Sequence, residues 1–523
     1  MSVSLKRLFK PFYLLLAILV VSTVIKVIAV KGNNFPFTMD QGRDMTDIRQ
    51  MVVTHTPRLV GPTTSINGVL LGPFWYYFNL IPFLLFGGSP SAIVYWQILW
   101  FQLSVLLLYF VLQKQSRSLA FFTSALLLLA PFGFNTARYF WNANSMPIFT
   151  ILFFASIVWS NSSANKYTRL LVGLLAGLSM QIEAAFGVLF FPFLFVYYLF
   201  SREKIKNIFW SGLGFAITLI PQVLFELRHG FIMTKIFLSE FTGKGEMLGE
   251  KISFSEKLAQ RGEHLVDIVR HTNHLPENLV FIFTALTFVF VLWFLLSRSI
   301  KKTDKKIPSL VFAFFVFAAV FYLIFPQKLK IWYTLGLSVP IIMIDAVFLS
   351  FIFRSRRRLL RLAALLVIAA TLFFSVKAQN DYFSIMYRLS GNNPSNLQNE
   401  IAAVDWVYQK AAGRGFSVYS YLPSVYDYPY QHVFWWYGTQ EYAYQPSDIS
   451  YLPNQPEYIL RGNLAWSKKR QSGNDQLTFL IIERESEIPQ RQQEWLGHFS
   501  KLCVSQQYTF PWNTEVRMLS VCH

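Results

Sequence analysis

Residues 37–53 read FTMDQGRDMTDIRQMVV and place Asp40, Asp44 and Asp47 within eight residues, between two apolar parts of the chain. Carboxylates are costly near lipid, so an acidic cluster beside membrane segments is by default a candidate functional site. The spacing i, i+4, i+7 puts the three aspartates on one face of a helix, with apolar residues covering another face. This stretch therefore predicts a helix at the membrane surface, with its acidic face turned toward a cavity.

The composition is that of a membrane protein. Of the 523 residues, 54% are hydrophobic and only 14% are charged, and many apolar windows approach the ~20 residues that cross a bilayer. The first apolar run lacks a small-residue cleavage site before Lys31, so we interpret it as a retained helix. We predict a polytopic α-helical protein with about eleven transmembrane helices. The predicted spans lie near 12–30, 91–113, 119–135, 147–160, 169–183, 185–200, 208–226, 279–296, 308–325, 335–353 and 360–377.

The net charge is +19, and the positions of the Lys and Arg residues along the chain indicate the membrane topology. The N-terminus and alternate connections hold 20 Lys and Arg residues, opposed only by Glu203 and Asp304. The short connections on the other side carry Arg138, Lys328 and Lys330. This positive-inside bias predicts a cytoplasmic N-terminus and, after eleven crossings, an extracytoplasmic C-terminus. It also argues against a nucleic-acid partner.

Three pieces are predicted to lie outside. The loop 31–90 contains the acidic helix and an aromatic segment, 74–87, which we expect to lie in the interface rather than to cross. The loop 227–278 is polar. The tail 378–523 is long enough for one domain, and it is separate from the predicted catalytic membrane domain, 1–377.

The tail is predicted to fold as a small α/β domain. Residues 396–413 have helical periodicity and end in glycine, while 415–422 and 477–483 read as buried strands. The segment 424–466 is rich in Tyr, Trp and Pro and is predicted to form an aromatic lid.

The two cysteines, Cys503 and Cys522, lie in this tail, where a disulfide can persist. A hairpin that turns at PWNT (511–514) would pair Phe510 with Glu515. In that register the cysteines lie directly opposite each other, within disulfide reach. The alternative is a pair of free thiols packed in a small core.

An acidic outer site in a membrane enzyme favours a lipid-linked substrate. A sugar on a polyprenyl phosphate leaves behind the anion of a fairly strong acid, which needs cationic stabilisation more than a proton donor. The acceptor hydroxyl needs a general base, and a carboxylate serves. One carboxylate as base and a few Lys or Arg residues to stabilise the phosphate are then sufficient to catalyse the transfer.

Three segments carry a family resemblance: MDQGRDMTDIRQM (39–51), RLVGPTTSINGVLLGPFWYYFNLIPFLLFG (58–87) and SPSAIVYWQILW (89–100). They resemble the first outer loop of the GT-C glycosyltransferases, in the branch of protein O-mannosyltransferases and aminoarabinose transferases. The resemblance covers roughly residues 1–240. It implies inverting transfer of a sugar from a polyprenyl-phosphate-linked donor at the outer face of the membrane.

The resemblance gives Asp40 the position of the first acidic residue of the family, the catalytic base. The family usually has Asp-Glu there, whereas Gln41 follows Asp40 here, so the second catalytic charge is expected from Asp44. Arg43 is expected either to orient Asp40 or to pair with Asp47. Asp44 could instead pair with a neighbouring cation such as Arg43 or Arg49.

Two departures from the family pattern concern substrate binding. Relatives have a lysine before the aromatic segment, proposed to hold phosphate, where this chain has 71–73, Leu-Gly-Pro. A further acidic residue often lies in the next outer connection, where this chain has Asn142 and Asn144. Asn142 is therefore our candidate for substrate binding there.

The remaining candidates each have a structural alternative. Glu183 at an outer helix end could belong to the site or to an ordinary polar turn. Arg228 could grip phosphate bidentately or anchor at the headgroups. Lys328 and Lys330 could contact phosphate or snorkel beside an aromatic belt. His229 has no second ligand at metal spacing, so we assign no metal or other cofactor, although a divalent ion remains open.

The leading hypothesis is a multi-pass plasma-membrane glycosyltransferase. Its predicted partners are a polyprenyl-phosphate-linked sugar donor, membrane lipids and an acceptor that is a glycan, lipid or protein. The alternatives are a transporter of lipid-linked saccharides and a non-catalytic cell-envelope assembly factor. A transporter would favour repeat symmetry and helices broken at mid-membrane, and the sequence shows neither feature clearly.

Overall fold

The structure of the chain is a computed structural model that describes residues 11–64, 66–163, 165–241, 253–325, 329–389, 393–453 and 477–522. By their contacts, the residues form two compact units. The helical unit comprises Met1–Val27, Leu59–Trp75 and Gln97–Gln379. The mixed unit comprises Ile28–Arg58, Tyr76–Trp96 and Asn380–His523.

Helices dominate the described residues. In chain order they are α1 Pro11–Val30, α2 Met39–Thr54, α3 Phe74–Leu85, α4 Pro90–Leu112, α5 Arg117–Leu129, α6 Pro131–Arg138, α7 Met146–Ser163, α8 Lys166–Ile182, α9 Ala184–Gly187, α10 Phe190–Leu199, α11 Lys204–Arg228, α12 Ile232–Phe241, α13 Phe254–Arg270, α14 Glu277–Leu296, α15 Lys306–Ile324, α16 Ser338–Phe353, α17 Arg358–Leu389, α18 Leu397–Ala411, α19 Tyr428–Val433, α20 Thr439–Tyr442 and α21 Pro489–Gly497. Short 3-10 turns lie at Lys31–Asn33, Ala143–Ser145 and Ile331–Leu337, and a π-turn at Phe434–Gly438.

The predicted polytopic helical fold with a small C-terminal sheet domain is confirmed, whereas the count of about eleven crossings stays a prediction. Each of the eleven predicted spans contains helix. Within the described residues, eight helical segments are long and apolar enough to cross a membrane, or nine if the bent pair α5–α6, with its angle of 50°, is one span. The aromatic helix α3 has 12 residues, well short of the ~20 that a crossing needs. The chain is a multi-pass membrane protein.

Small residues allow α8 and α11 to pack closely in the helical unit. A Cβ added at Gly173 would lie 1.9 Å from the carbonyl oxygen of Ser211, and one added at Gly214 would lie 2.2 Å from that of Leu170. Lipid supplies no hydrophobic drive for helices to associate, so membrane helices gain contact by such close approach. This contact orients the end of α8, where Glu183 follows.

The sheet of the mixed unit has five strands in the order β2-β1-β3-β5-β4. The strands are β1 Phe416–Tyr421, β2 Asp448–Ser450, β3 Leu477–Glu483, β4 Leu502–Thr509 and β5 Thr514–Val521. β1 pairs in parallel with β2 and β3, while β5 pairs antiparallel with β3 and β4. Strands β1 and β3 and helix α18 lie where the tail pattern predicts a buried strand pair and a helix. In the described part of the predicted aromatic lid, 424–453, residues 428–442 are helical and Asp448–Ser450 form β2.

The predicted hairpin register is wrong, although the disulfide forms. Glu515 pairs with Thr509, not with Phe510, and Phe510 donates its backbone N–H to the carbonyl of Thr514. The loop therefore has three residues, ending at Asn513 with a φ of 61°, which is typical of a three-residue hairpin. A bulge between Val504 and Gln506 then shifts the register once more.

The two shifts together preserve the face on which the cysteines lie. Cys503 pairs with Ser520, and Cys522 is two residues further along the same strand direction. Because side chains alternate with a period of two, Cys522 is the diagonal neighbour of Cys503 on one face. The Cα atoms are 5.0 Å apart and the sulfurs are bonded.

Two buried carboxyls share the interior of the mixed unit. Glu400 is fully buried, and both of its oxygens lack a hydrogen-bond partner within the described residues. Glu483 accepts a hydrogen bond from the hydroxyl of Tyr430 at 3.2 Å. Burial raises the pKa of Glu400 well above its ordinary value, and the charge of Glu483 raises it further. Burial also raises the pKa of Glu483 to about 7.

Removal of the disulfide should loosen the edge of the sheet. The double variant Cys503→Ser, Cys522→Ser loses roughly 3 kcal/mol in the chain-entropy model for a loop of this size. Since β4 is an edge strand, we expect faster amide hydrogen exchange in β4 and β5 and little change in β1, measured by mass spectrometry. Unchanged protection of β4 would contradict a stabilising disulfide.

Glu400→Gln should stabilise the mixed unit at alkaline pH. The unfolded carboxyl loses its proton near pH ~4.3, whereas the folded one keeps it to higher pH. The contribution of this carboxyl to folding stability therefore falls as the pH rises from the pKa of the unfolded group to the higher pKa of the folded one. We expect the variant to raise Tm more at pH 8 than at pH 5, in thermal unfolding of the purified protein. An equal gain at both pH values would contradict the assignment.

Candidate active site

The acidic helix α2 begins with a capping box. The backbone N–H of Thr38 donates to Oε1 of Gln41 at 2.9 Å, and the hydroxyl of Thr38 donates to the same oxygen at 2.6 Å. A Gln at the third helical position satisfies groups that the helix start leaves open. Gln41 therefore serves the helix terminus, at the position where relatives usually have a second acid.

Arg43 links the two predicted catalytic carboxylates. Its Nη1 lies 3.0 Å from Oδ1 of Asp40, and its Nη2 lies 2.8 Å from Oδ1 of Asp44. Asp44 is 2% exposed, whereas Asp40 is 27% exposed. Burial alone would lower the pKa of Arg43, but the charges of Asp44 and Asp40 raise it, so the guanidinium remains charged. Arg43 pairs with Asp40 and Asp44 in place of the alternative partner, Asp47.

Asp47 belongs to a separate cluster. Its Oδ2 accepts a hydrogen bond from the Tyr76 hydroxyl at 2.6 Å, and its Oδ1 pairs with Nη2 of Arg58 at 2.6 Å. The Arg58 guanidinium also lies over the ring of Tyr76, 5.8 Å from its centroid. The helix thus divides its three acids between two cations, although they were predicted to share one face.

A buried arginine anchors the far side of α2. Arg49 is fully buried, donates to the carbonyl of Gln431 at 3.0 Å and lies 5.5 Å from the ring centroid of Trp435. Burial lowers its pKa to about 9. Burial, and secondly the charge of Arg49, lower the pKa of the adjacent His432 to about 3, so this histidine is neutral and its Nε2 donates to the carbonyl of Gly88 at 2.9 Å.

Gly42 permits α2 to touch α19. A Cβ at this position would lie 2.4 Å from the backbone nitrogen of Pro429 and 2.7 Å from the carbonyl carbon of Tyr428. Backbone atoms cannot yield as a flexible side chain can. The glycine therefore fixes how closely the acidic helix approaches the segment that follows β1.

The helical unit holds an apolar cavity of about 620 Å³. An adjoining cavity of about 420 Å³ shares Thr64, Val69 and Met180 with it. Glu183 lines the larger cavity and caps α9, accepting the N–H of Ala185 at 3.2 Å. A cavity of this size, largely apolar with few polar groups, is typical of a ligand-binding site.

The other predicted substrate-binding residues have different surroundings. Arg228 is exposed at the end of α11. The ammonium of Lys330 lies over the ring of Trp332, 5.1 Å from its centroid. The buried Asn142 donates to the carbonyl of Ile182 at 2.7 Å, which makes it a brace for the end of α8. Lys328 lies outside the described residues.

Sequence reasoning missed the aromatic and cationic groups that surround α2. Tyr76, Arg58 and Trp435 contact its side chains. Burial raises the pKa of Tyr428 to about 12, with a further contribution from the charge of Asp47. The many Tyr and Trp residues of 424–466 indicated an aromatic segment, but composition does not show which side chain of α2 each ring contacts.

The described residues contain no group of three or more His, Cys, Asp or Glu side chains that could hold a metal ion. His229 stacks on Phe225 with ring centroids 4.0 Å apart, and its Nδ1 lies 2.8 Å from the carbonyl oxygen of that residue. Its nearest contacts are therefore structural.

Comparison with known proteins identifies the class of the fold. A sequence model of the dolichyl-phosphate-mannose-protein mannosyltransferase family matches residues 71–225. No curated protein matches the chain in sequence. The fold is that of the GT-C glycosyltransferases, similar to both the protein mannosyltransferases and the ArnT group, and the predicted resemblance is confirmed.

Two solved structures carry this similarity over nearly the whole chain. ArnT from Cupriavidus metallidurans bound to undecaprenyl phosphate is 12% identical, with a TM-score of 0.60. The apo state of the same protein is 13% identical, with a TM-score of 0.57. Each comparison covers 96% of this chain and 97% of the other.

Gly42→Ala should separate α2 from α19, because the added methyl group meets backbone. We expect a lower Tm and loss of the Arg49–Gln431 contact, measured by thermal unfolding and by hydrogen exchange of 428–433.

Gly262→Ala is the matched control, since its Cβ would meet nothing within 4 Å. Gly262 lies inside α13, so alanine should be neutral or stabilise the helix by roughly 0.5–1 kcal/mol. Similar thermal behaviour of the two variants would show that close approach at Gly42 does not matter.

Proposed function

We propose that this chain is a glycosyltransferase that moves a sugar, with inversion, from a polyprenyl-phosphate-linked donor to an acceptor hydroxyl at the outer face of the membrane. Asp40 is the proposed general base. The observation that carries the proposal is the Asp40–Arg43–Asp44 arrangement at the start of α2, in a chain with the GT-C fold.

The unequal exposure of the two carboxylates supports different roles. Asp40 is the most exposed of the three acids on α2 and can reach an incoming hydroxyl, while Asp44 is almost completely buried. A base must come within hydrogen-bond reach of the proton that it removes. Asp44 then holds Arg43, and Arg43 orients Asp40, so Asp44 is a positioning residue and not a second base.

The apolar cavities of the helical unit suit the donor lipid. Their apolar walls offer contact to a polyprenyl chain, and Glu183 would face its polar head. The neighbour of similar fold that was solved with undecaprenyl phosphate makes this carrier the first donor lipid to test. Lys330 and Arg228 are the described cations proposed to stabilise the phosphate that leaves.

The charge bias sets the proposed orientation. The basic connections face the cytoplasm, and α2 and the tail domain lie outside. The donor would thus be consumed on the outer face of the plasma membrane. The proposal includes no metal or other cofactor, because the departing phosphate is already a good leaving group.

Asp40→Asn should remove most turnover and leave the fold intact, because asparagine keeps the size of the side chain and loses the base. Base catalysis contributes ~10²–10⁴-fold, so we expect a loss in that range. Transfer from radiolabelled undecaprenyl-phosphate sugars in proteoliposomes, with a panel of sugars and acceptors, measures it.

Asp267→Asn is a matched control for the lost ion pair. Asp267 pairs with Arg270 at the same i, i+3 spacing, at 2.7 Å, but lies on α13, and its side chain has no proposed part in the reaction or in sugar binding. It should keep near-normal turnover. A well-folded Asp40→Asn protein with similar turnover would refute Asp40 as the base.

A further inference from the structure

A second cavity of the helical unit has a different character from the apolar one. Its volume is about 180 Å³, about six times the ~30 Å³ that one water occupies in the liquid. It lies beside α6, the turn Ala143–Ser145 and the turn before α16. Its informative lining residues are Asn135, Thr136, Trp141, Asn144, His271 and Trp332.

Two tryptophans form a corner of this cavity. The rings of Trp141 and Trp332 have centroids 5.4 Å apart and an interplanar angle of 66°. The ammonium of Lys330 covers one face of Trp332. Aromatic faces are electron-rich, so an uncovered face attracts the weakly positive C–H groups on one side of a sugar ring.

Polar groups beside the tryptophans are already oriented. Oδ1 of Asn135 accepts from Nη2 of Arg138 at 2.7 Å, and Nδ2 of Asn144 donates to the carbonyl of Tyr139 at 3.3 Å. Nδ1 of His271 lies 2.6 Å from the carbonyl oxygen of Asp267. These contacts use one end of each side chain. Among the residues that the structure describes, Nδ2 of Asn135, Oδ1 of Asn144 and Nε2 of His271 have no hydrogen-bond partner and can bind hydroxyls.

The charged side chains that directly contact the described lining residues are positive. Among the described residues that line it there is no Asp or Glu, while Arg138 and Lys330 contact two of these lining residues. Burial lowers the pKa of the neighbouring His274 to about 4, and the charges of Arg138 and Lys26 contribute to that shift. A ligand with a positive charge would be repelled here, and a neutral or anionic one would not.

We propose that this cavity binds a single pyranose ring that carries no positive charge. The combination of an aromatic corner, oriented amides and a volume for one ring supports this ligand. The inference rests on the proposed glycosyl transfer for its biological meaning, and it narrows the substrate to neutral sugars or uronic acids. The ring belongs either to the donor or to a sugar of the acceptor.

Direct binding tests the proposal without turnover. Saturation-transfer difference NMR on the full-length protein in detergent would use methyl α-D-mannopyranoside, D-glucuronate and D-glucosamine. We expect saturation of ring protons for the first two and at least several-fold weaker binding of glucosamine. Absence of ring contact for both uncharged and anionic sugars, or equal binding of glucosamine, would overturn the proposal.

Variants locate the contact. Trp332→Ala should weaken binding of the mannoside by roughly tenfold, which corresponds to about 1.4 kcal/mol. Trp293→Ala, on α14 and 51% exposed, removes a tryptophan elsewhere and should leave binding unchanged. Equal loss in the two variants would contradict the site.

A second variant changes charge in place of shape. Asn144→Asp adds the carboxylate that the lining lacks, so it should strengthen binding of glucosamine and weaken that of glucuronate. It keeps the size of the side chain and serves if Trp332→Ala does not fold. Unchanged preference between the two sugars in a folded Asn144→Asp protein would overturn the charge argument.

Two further experiments are needed. One shows whether the bound ring comes from the donor or from the acceptor, and the other separates the catalytic proposal from the sugar-binding proposal. Displacement of the mannoside by undecaprenyl-phosphate mannose identifies the ring as the donor's, and simultaneous binding identifies it as the acceptor's. Asp40→Asn should bind the mannoside normally. If the wild-type protein binds the mannoside but Asp40→Asn keeps normal turnover, only the catalytic assignment fails. If Asp40→Asn loses turnover but the wild-type protein does not bind the mannoside, only the sugar site fails.

Discussion

The guanidinium of Arg43 is the group on which the candidate active site depends. A carboxylate as buried as Asp44 is costly unless it is paired and hydrogen-bonded, and Arg43 supplies both requirements. The same guanidinium reaches Asp40 with its other terminal nitrogen. Burial of Asp44 thus fixes the position of Arg43, and Arg43 in turn fixes the more exposed Asp40.

The rest of the mixed unit supports this arrangement by holding α2 from the other side. Gly42 allows α19 to approach, and the buried Arg49 reaches the carbonyl of Gln431 beside it. Segments far apart in sequence, Ile28–Arg58, Tyr76–Trp96 and the tail, therefore form one compact unit. The tail is therefore part of the surroundings of the acidic helix, in the same compact unit.

The C-terminal hairpin shows how a wrong register can still lead to the right bond. A one-residue slip would send Cys503 and Cys522 to opposite faces. The three-residue loop introduces one such slip, and the bulge at Val504–Gln506 introduces a second. Their sum is two residues, one full period of the strand, and the cysteines meet diagonally. Neither the bulge nor the left-handed Asn513 could be located from strand propensity alone.

The sequence by itself determined the membrane character, the positions of the helices and two strands of the tail, and it singled out 37–53 as a candidate site. Hydrophobic periodicity and residue type are local properties of the chain and do not depend on its tertiary structure. Tertiary structure alone decided that Asp47 meets Tyr76, that Asn142 braces a helix end, and that two tryptophans from distant turns form a corner. Such contacts join residues far apart in the chain, and their partners are chosen by packing and by the need to pair buried charges, which no local pattern encodes.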